Sequence, residues 1–411
     1  MKFFLSCFTL IFLFPALSQK SETTNYLQKI VTTLSADSME GRLVGSYGEL
    51  KTALFLSSEL LKIGVKPYQD SYSKPFTYLY SPNPHDSTDA SKQQINSQNI
   101  VGFIDNHQQR TIVIGAHYDH IGRNEHNNSS LANSSGQIHN GADDNASGVA
   151  AVLSLANHLQ NNKSLEPLNY LIVFFSGEED GLVGSKALVE QLNSDSLAIS
   201  AMVNLDMVGR LDSLNHLYIG GIGTSPRFGE IIQSANHYDF KIVSDSSGIG
   251  PSDHTSFYLK NIPVLFLFTG THSDYHKPSD DSEKINFDGL TKIQAYLIDL
   301  LKELSNSDEL PFTATKNTSK AKPQYKVTLG IMPSYVANEQ GLQVDGVVDG
   351  KLAQKAGIQA GDILIQLNEC KISDIYSYMD CLATLKSGEV LRVKFIRKGI
   401  ISESTVSIPE N

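Results

Sequence analysis

Residues 111–119 read TIVIGAHYD, an apolar run that ends on a histidine and an aspartate. A continuous run rich in β-branched residues is typical of a strand that is buried on both faces of a sheet. Further runs of this kind occupy 170–175, 201–205 and 263–268. Segments with helical periodicity lie between and after these runs: Gly148 to Gln160, Gly184 to Leu192, Arg227 to His237 and Leu290 to Leu304. The alternation predicts an α/β fold with a mostly parallel central sheet and helices on both faces.

The start of the chain is typical of a secretory signal peptide, which we expect to span Met1 to Ser18. It has one positive charge at Lys2, an apolar stretch and small residues at its end. The stretch from Phe3 to Leu17 is shorter than the roughly 20 residues of a membrane-spanning helix. The sequence therefore predicts an exported protein, periplasmic or extracellular, with no transmembrane segment after cleavage. Lipid attachment is a minor alternative, because Cys7 lies inside the apolar stretch rather than at its end.

Composition divides the rest of the chain and excludes one class of partner. A formal net charge of -11 without a run of Lys or Arg argues against nucleic acid. A stretch rich in Ser, Thr, Asn and Lys predicts a linker at 305–324, between a first domain at 19–304 and a second at 325–411.

Cys370 and Cys381 could pair in an oxidising compartment, but the pattern favours two free, buried thiols.

Metal-binding side chains follow each of the buried runs. They are His117 and Asp119, Glu178 and Glu179, Asp206, and, after a short loop, His276, with the acidic pair Asp143 and Asp144 before the helix at Gly148. Each alone could be a surface pair, an acidic turn or a helix N-terminus. Ligands of an open α/β sheet bind beyond the carboxyl ends of its strands, so these residues should meet at one edge. Imidazoles mixed with carboxylates indicate a catalytic zinc site. A pair of metals needs a bridging carboxylate, which either Asp143 or Asp144 could supply.

At these residues the sequence resembles the co-catalytic zinc aminopeptidases, which share a fold with glutamate carboxypeptidase and the transferrin receptor. The matching stretches are Gly115 to His120, Gly141 to Gly148, Ser176 to Glu179, Asn204 to Met207 and Tyr275-His276, with Asp37 to Arg42 upstream. The resemblance extends from about Leu34 to Leu304. It implies an exopeptidase that removes N-terminal residues from peptide substrates. Release of di- or tripeptides, carboxypeptidase activity, or an inactive peptide-binding protein are the alternatives, and the filled ligand positions disfavour the last.

The resemblance also implies a role for each residue. It implies two zinc ions bridged by Asp143, with His117 and Asp206 on one ion and Glu179 and His276 on the other. Glu178 would be the general base, Asp119 would orient His117, and Tyr275 would donate to the developing oxyanion.

The second domain resembles a bacterial PDZ domain between about Tyr325 and Ile408. The resemblance rests on Val327 to Met332 and Ala353 to Leu364, with a helix predicted at Asp374 to Leu385. A PDZ domain binds a peptide C-terminus or an extended segment as an added strand. The sequence leaves open whether this one binds a peptide or packs on the catalytic domain and shapes access to it.

Overall fold

The computed structural model describes residues 13–81, 92–162, 167–195, 197–307, 309–315, 327–333, 340–373 and 375–409. The first domain contains the strands β1 (Lys66–Pro67), β2 (Ser73–Tyr80), β3 (Gln93–Ile104), β4 (Thr111–His117), β5 (Asn169–Phe175), β6 (Ile199–Leu205), β7 (His216–Gly220), β8 (Lys241–Ser244) and β9 (Val264–Phe268). Its helices are α1 (Leu13–Leu34), α2 (Tyr47–Ile63), α3 (Gly148–Asn161), α4 (Val183–Ser194), α5 (Phe228–Ser234), α6 (His254–Tyr258) and α7 (Phe287–Ser305).

The strands form one sheet in the order β1-β3-β5-β4-β6-β9-β7-β8, with β2 beside β3. The four strands predicted from apolar runs, β4, β5, β6 and β9, are adjacent and mutually parallel. Antiparallel strands flank this centre, β3 against β5 on one side and β7 against β9 on the other. The mostly parallel α/β sheet is therefore confirmed, with antiparallel strands added at its edges.

Both faces of the parallel centre are buried. Ile112 and Ile114 of β4 point into the larger core, which contains α3 and α7, whereas Val113 points into the core beneath α4. This alternation explains why the run is apolar at every position, since successive side chains of a strand point to opposite faces. Each aliphatic side chain buried in this way contributes about 1.5–3 kcal/mol to stability.

Local signals set the ends of the helices around this sheet. The Ser46 side chain accepts a hydrogen bond from Glu49 N at 3.2 Å before α2, and Gly64, with φ of 93°, ends that helix. The Asn286 side chain accepts from Gly289 N at 2.9 Å and starts α7 three residues before the predicted Leu290.

The second domain is a small sheet with its own core. Its elements are β10 (Ile331–Pro333), β11 (Leu342–Val347), β12 (Ile363–Leu367), β13 (Cys370–Lys371), β14 (Val390–Arg397) and β15 (Ile400–Ser407), with α8 (Leu352–Lys355) and α9 (Ile375–Ala383). The strand order is β10-β11-β12-β14-β15, with β13 beside β12. Its core is separate from the cores of the first domain and includes Leu329, Val344 and Leu391.

Cys370 and Cys381 form a disulfide, so the prediction of two free thiols is wrong. Cys370 begins the short strand β13 and Cys381 lies on α9, and their Cα atoms are 5.5 Å apart. That separation is within the range that a disulfide spans. Contact between the strand and the helix brings the two residues together, and their sequence spacing alone does not reveal it.

The predicted linker and signal peptide lie at the limits of the described residues. The first part of the linker packs on the first domain, because Leu310 is buried and the ring of Phe312 lies 5.5 Å from that of Tyr258. Residues 316–326 lie outside the described residues, as do residues 1–12 of the predicted signal peptide. In the described part of the chain, helices that combine the length and the apolar character needed to span a bilayer are not found.

Candidate metal centre

The ends of the parallel strands bring the predicted ligands together. His117 is the last residue of β4, and Asp206 directly follows β6. The glutamates Glu178 and Glu179 follow β5 through a turn at Gly177, whose φ of +68° favours glycine. A Cβ atom at Gly177 would also lie 2.4 Å from the side chain of Val183. Parallel strand direction and one glycine turn therefore position this edge of the site.

Two groups of metal-binding side chains share one carboxylate, that of Asp144. In the first group, His117 Nε2 lies 3.3 Å from both Asp144 Oδ1 and Asp206 Oδ1. In the second, His276 Nε2 lies 3.2 Å from Asp144 Oδ2 and 3.1 Å from Glu179 Oε2. Each oxygen of the buried Asp144 carboxylate therefore faces a different group.

Asp143 does not occupy the bridging position that the resemblance implied. Its Oδ1 accepts from Gly209 N at 2.7 Å, and its Oδ2 lies 3.1 Å from His272 Nε2. The backbone departs from helical geometry at Asp144, with φ of -102° and ψ of 92°, and the side chains of Asp143 and Asp144 have different partners. This corrects the prediction: the structure brings Asp144, not Asp143, between His117 and His276.

The buried carboxylate of Asp119 organises the turn that carries both glutamates. Its two oxygens lie 3.3 Å from Glu178 N and 3.4 Å from Glu179 N. One of them is also 3.7 Å from His117 Nδ1, and the same ring nitrogen is 3.2 Å from the Asp119 carbonyl oxygen. Asp119 therefore links the strand that ends at His117 to the turn after β5.

Two further residues support the cluster and were missed as functional residues. His120 Nδ1 lies 2.8 Å from Glu179 Oε1 and joins the group that contains His276. Arg42 is almost fully buried and donates to four backbone carbonyls. Its acceptors are those of Leu34 (2.6 Å), Asn140 (2.7 Å), Tyr118 (2.8 Å) and Gly141 (2.9 Å). His120 and Arg42 are the last residues of two stretches that resemble the zinc aminopeptidases, Gly115 to His120 and Asp37 to Arg42. No sequence signal distinguished either residue from its neighbours.

Burial and neighbouring charges shift the proton affinities of the cluster. Burial raises the pKa of Glu178 well above its usual range, Asp206 and Glu179 add to the rise, and His117 opposes it. Burial alone would raise the pKa of Asp144, but hydrogen bonds from His117 and His276 hold it well below its usual range. Carboxylates crowded at low dielectric are costly unless cations balance them. The charge distribution therefore fits a cation-binding site.

The donor set fits zinc in particular. In each group the donor atoms lie within 4.8 Å of one another. Together the groups offer imidazole nitrogens and carboxylate oxygens, the donors that zinc takes in catalytic sites.

A cavity of about 240 Å³ opens over the cluster. Glu178 and Tyr275 line it, and the Tyr275 ring stacks on that of His276 with 4.0 Å between the ring centres. Its apolar lining comes from both domains: Met207, Phe266 and Phe268 from the first, and Ile331, Pro333 and Val348 from the second. The cavity therefore has room for an apolar side chain beside the acidic cluster.

Two segments of the chain match known families. Residues 318–395 match the PDZ domain, and residues 99–301 match Peptidase family M28. The first domain is a peptidase family M28 domain. A "Probable leucine aminopeptidase" from Trichophyton verrucosum is 25% identical over 224 residues, which cover 52% of this chain and 57% of that protein. The chain thus spans little more than half the length of this relative.

Solved structures share the fold of the M28 domain. BSAP, a zinc aminopeptidase from Bacillus subtilis, aligns with a TM-score of 0.56 at 18% identity, covering 70% of this chain and 97% of that one. A glutaminyl cyclase from Bacteroides thetaiotaomicron aligns with a TM-score of 0.55 at 18% identity, covering 69% and 98%. At these identities the likeness concerns the fold alone.

Proposed function

We propose that the protein is an exported zinc aminopeptidase that binds two zinc ions and removes N-terminal residues from peptides. The observation that carries this proposal is the pair of ligand groups that share Asp144. The name of the Trichophyton relative, a probable leucine aminopeptidase, supports the removal of N-terminal residues. The imidazole and carboxylate donors of the two groups, and the zinc aminopeptidase BSAP among the proteins of similar fold, support zinc as the metal. The paired cysteines Cys370 and Cys381 support export, because disulfides persist mainly in oxidising compartments.

The ligand groups suggest how the two ions would be held. His117, Asp144 and Asp206 would bind one zinc ion, and Asp144, Glu179 and His276 would bind the other. His120 would keep Glu179 oriented, and Asp119 would do the same for His117. When bound, zinc lowers the pKa of a water molecule toward neutrality and polarises the carbonyl group of the substrate.

Glu178 is the residue best placed to move protons. It lines the cavity but belongs to neither ligand group. From this position it would accept a proton from the attacking water and return it to the leaving amine. Tyr275 lines the same cavity, and its hydroxyl would donate to the carbonyl oxygen as negative charge develops there.

The test compares zinc-loaded and chelated protein on aminoacyl anilides and short peptides, with the zinc content measured alongside. Glu178→Gln should lower kcat by about 10²–10⁴-fold, the usual contribution of a general base, with zinc retained. Glu190→Gln is the matched control, because Glu190 is an exposed residue of α4 paired with Lys260. It should leave kcat unchanged.

Several outcomes would contradict the proposal. Zinc-loaded protein that hydrolyses no substrate, or a Glu178→Gln variant as active as the parent, would exclude the mechanism. Cleavage of N-acetylated peptides alone would exclude an aminopeptidase while keeping the metal site. Ammonia released from glutaminyl peptides without a free amino acid would indicate a cyclase instead.

A further inference from the structure

The PDZ domain lines the cavity above the metal-binding cluster. Ile331, Pro333 and Val348 line the same cavity as Glu178 and Asp206. Ile331 and Pro333 are two residues apart on β10, so their side chains lie on one face of that strand. A face of the PDZ domain therefore takes part in the cavity of the M28 domain.

The three PDZ side chains belong to one continuous surface. Val348 follows β11, and its N–H donates to the Gly330 carbonyl oxygen at 2.8 Å, just before β10 begins. Gly330 has φ of +72°, and a Cβ atom there would lie 2.3 Å from Cβ of Lys351. The turn before β10 therefore requires glycine, and it holds Val348 beside the strand.

A second contact ties this surface to a predicted metal ligand. Asp349 N lies 3.5 Å from the Ser130 carbonyl oxygen, and Ser130 N donates to the His276 carbonyl oxygen at 2.9 Å. The same segment holds the ring of His276, because His276 Nδ1 lies 2.9 Å from the Asn128 carbonyl oxygen. The PDZ domain thus contacts the segment that orients His276. This contact places the PDZ domain next to the cluster.

We propose that the PDZ domain is a specificity element for the peptidase of its own chain. Ile331, Pro333 and Val348 would contact the apolar side chain of the N-terminal residue of a bound peptide. The proposal rests on the proposed aminopeptidase function and assigns it a substrate class, peptides that begin with a large aliphatic residue. In the usual PDZ mode the domain captures a separate peptide as an added strand.

Charge and size favour this occupant. Outside the cluster, the cavity is lined by uncharged side chains, most of them apolar, so it favours an aliphatic side chain over a charged one. Its volume of about 240 Å³ is below the ~300–1,000 Å³ typical of small-molecule sites. A space of this size fits the side chain of the first residue rather than a long peptide segment.

The experiment measures kcat and KM for leucyl, alanyl and lysyl substrates in variants of the full chain. Ile331→Ala and Val348→Ala should raise KM for the leucyl substrate about four- to tenfold, with kcat little changed, because each removes apolar contact that persists throughout the reaction. The alanyl substrate, whose side chain is short, should change little. Val348→Asp should shift the preference from leucyl toward lysyl substrates, a gain that misfolding would not produce.

Ile401 provides the matched control, since it lies on β15 of the same domain and is 67% exposed. Ile401→Ala and Ile401→Asp should leave every kinetic constant unchanged, and thermal unfolding and zinc content should match between the two sets of variants. The inference would be overturned if the ratio of leucyl to alanyl kcat/KM were the same in both sets of variants. It would also be overturned if kcat/KM fell equally for all substrates. If the unmodified zinc-loaded protein hydrolyses nothing, the aminopeptidase proposal fails first and the inference with it.

Discussion

Replacing each of two adjacent aspartates by asparagine tests the proposal that Asp144, rather than Asp143, would bridge two zinc ions. Each oxygen of Asp144 faces an imidazole, at 3.3 Å and 3.2 Å. Asparagine keeps one acceptor oxygen, loses the charge and turns an amide group toward one of the rings. A zinc site with four protein ligands is worth about 10–16 kcal/mol, so the loss of one charged ligand should cost about 2.5–4 kcal/mol, which corresponds to about 10²–10³-fold weaker zinc binding.

The adjacent variant Asp143→Asn is the matched control. Asparagine keeps an oxygen to accept from Gly209 N, and Asp143 is in neither ligand group. A residue that contacts the metal ligands without binding the metal itself typically contributes about 10–100-fold to metal affinity. A competition titration with a chromophoric chelator measures both affinities, and circular dichroism checks the fold. Weaker zinc binding by Asp143→Asn than by Asp144→Asn would refute the assignment of the bridge to Asp144.

Three further predictions concern stability. Arg42→Met leaves four backbone carbonyls without their cationic donor, so urea denaturation should show a loss of about 3–5 kcal/mol in the free energy of unfolding. Arg110→Met, which removes one bond to the Ser307 carbonyl, should cost less than ~1 kcal/mol. Equal losses would contradict the role of Arg42. Burial lowers the pKa of His254 from 6.5 to about 3, so below about pH 6.5 the unfolded chain binds a proton that the folded chain does not. His254 should therefore lower the free energy of unfolding by about 2 kcal/mol between pH 7.5 and pH 5, measured as the difference between the pH dependence of the parent and that of a His254→Phe variant. The same pH dependence in both proteins would contradict this cause. Replacing Cys370 and Cys381 by serine opens a loop with a sequence separation of 11 and should lower the free energy of unfolding of the PDZ domain by about 2–3 kcal/mol. A free thiol at either position in the unreduced, unfolded protein would exclude the disulfide.

The centre of the fold could be predicted because its signals are local. The run that became β4 is apolar at every position, and such a run is stable only where both faces of the strand are covered. The edge strands lack this signal. β2 alternates between more and less exposed positions, and β7 is only five residues long, so neither differs clearly from a loop in sequence.

The place where the metal-binding residues gather could be predicted for a similar reason. His117, Glu179 and Asp206 lie at or just beyond the ends of buried parallel strands, and that placement alone brings them to one edge. Their proximity therefore follows from the strand pattern. The structure also brings His276 to this edge, although its loop is less constrained by the pattern.

Other features depended on how the backbone turns and packs between distant segments. Asp143 and Asp144 are adjacent acids, and only the path from Gly141 into α3 decides which one faces the histidines. Contacts across the fold likewise decide the partners of Arg42, the pairing of Cys370 with Cys381, and the position of the PDZ domain at the cavity. The sequence by itself determined the strands and the edge at which the metal-binding residues gather, because hydrophobic periodicity and strand direction are local properties. Only the tertiary structure decided which carboxylate lies between the two ligand groups and which domains line the cavity, because side-chain direction and domain contact arise from non-local packing.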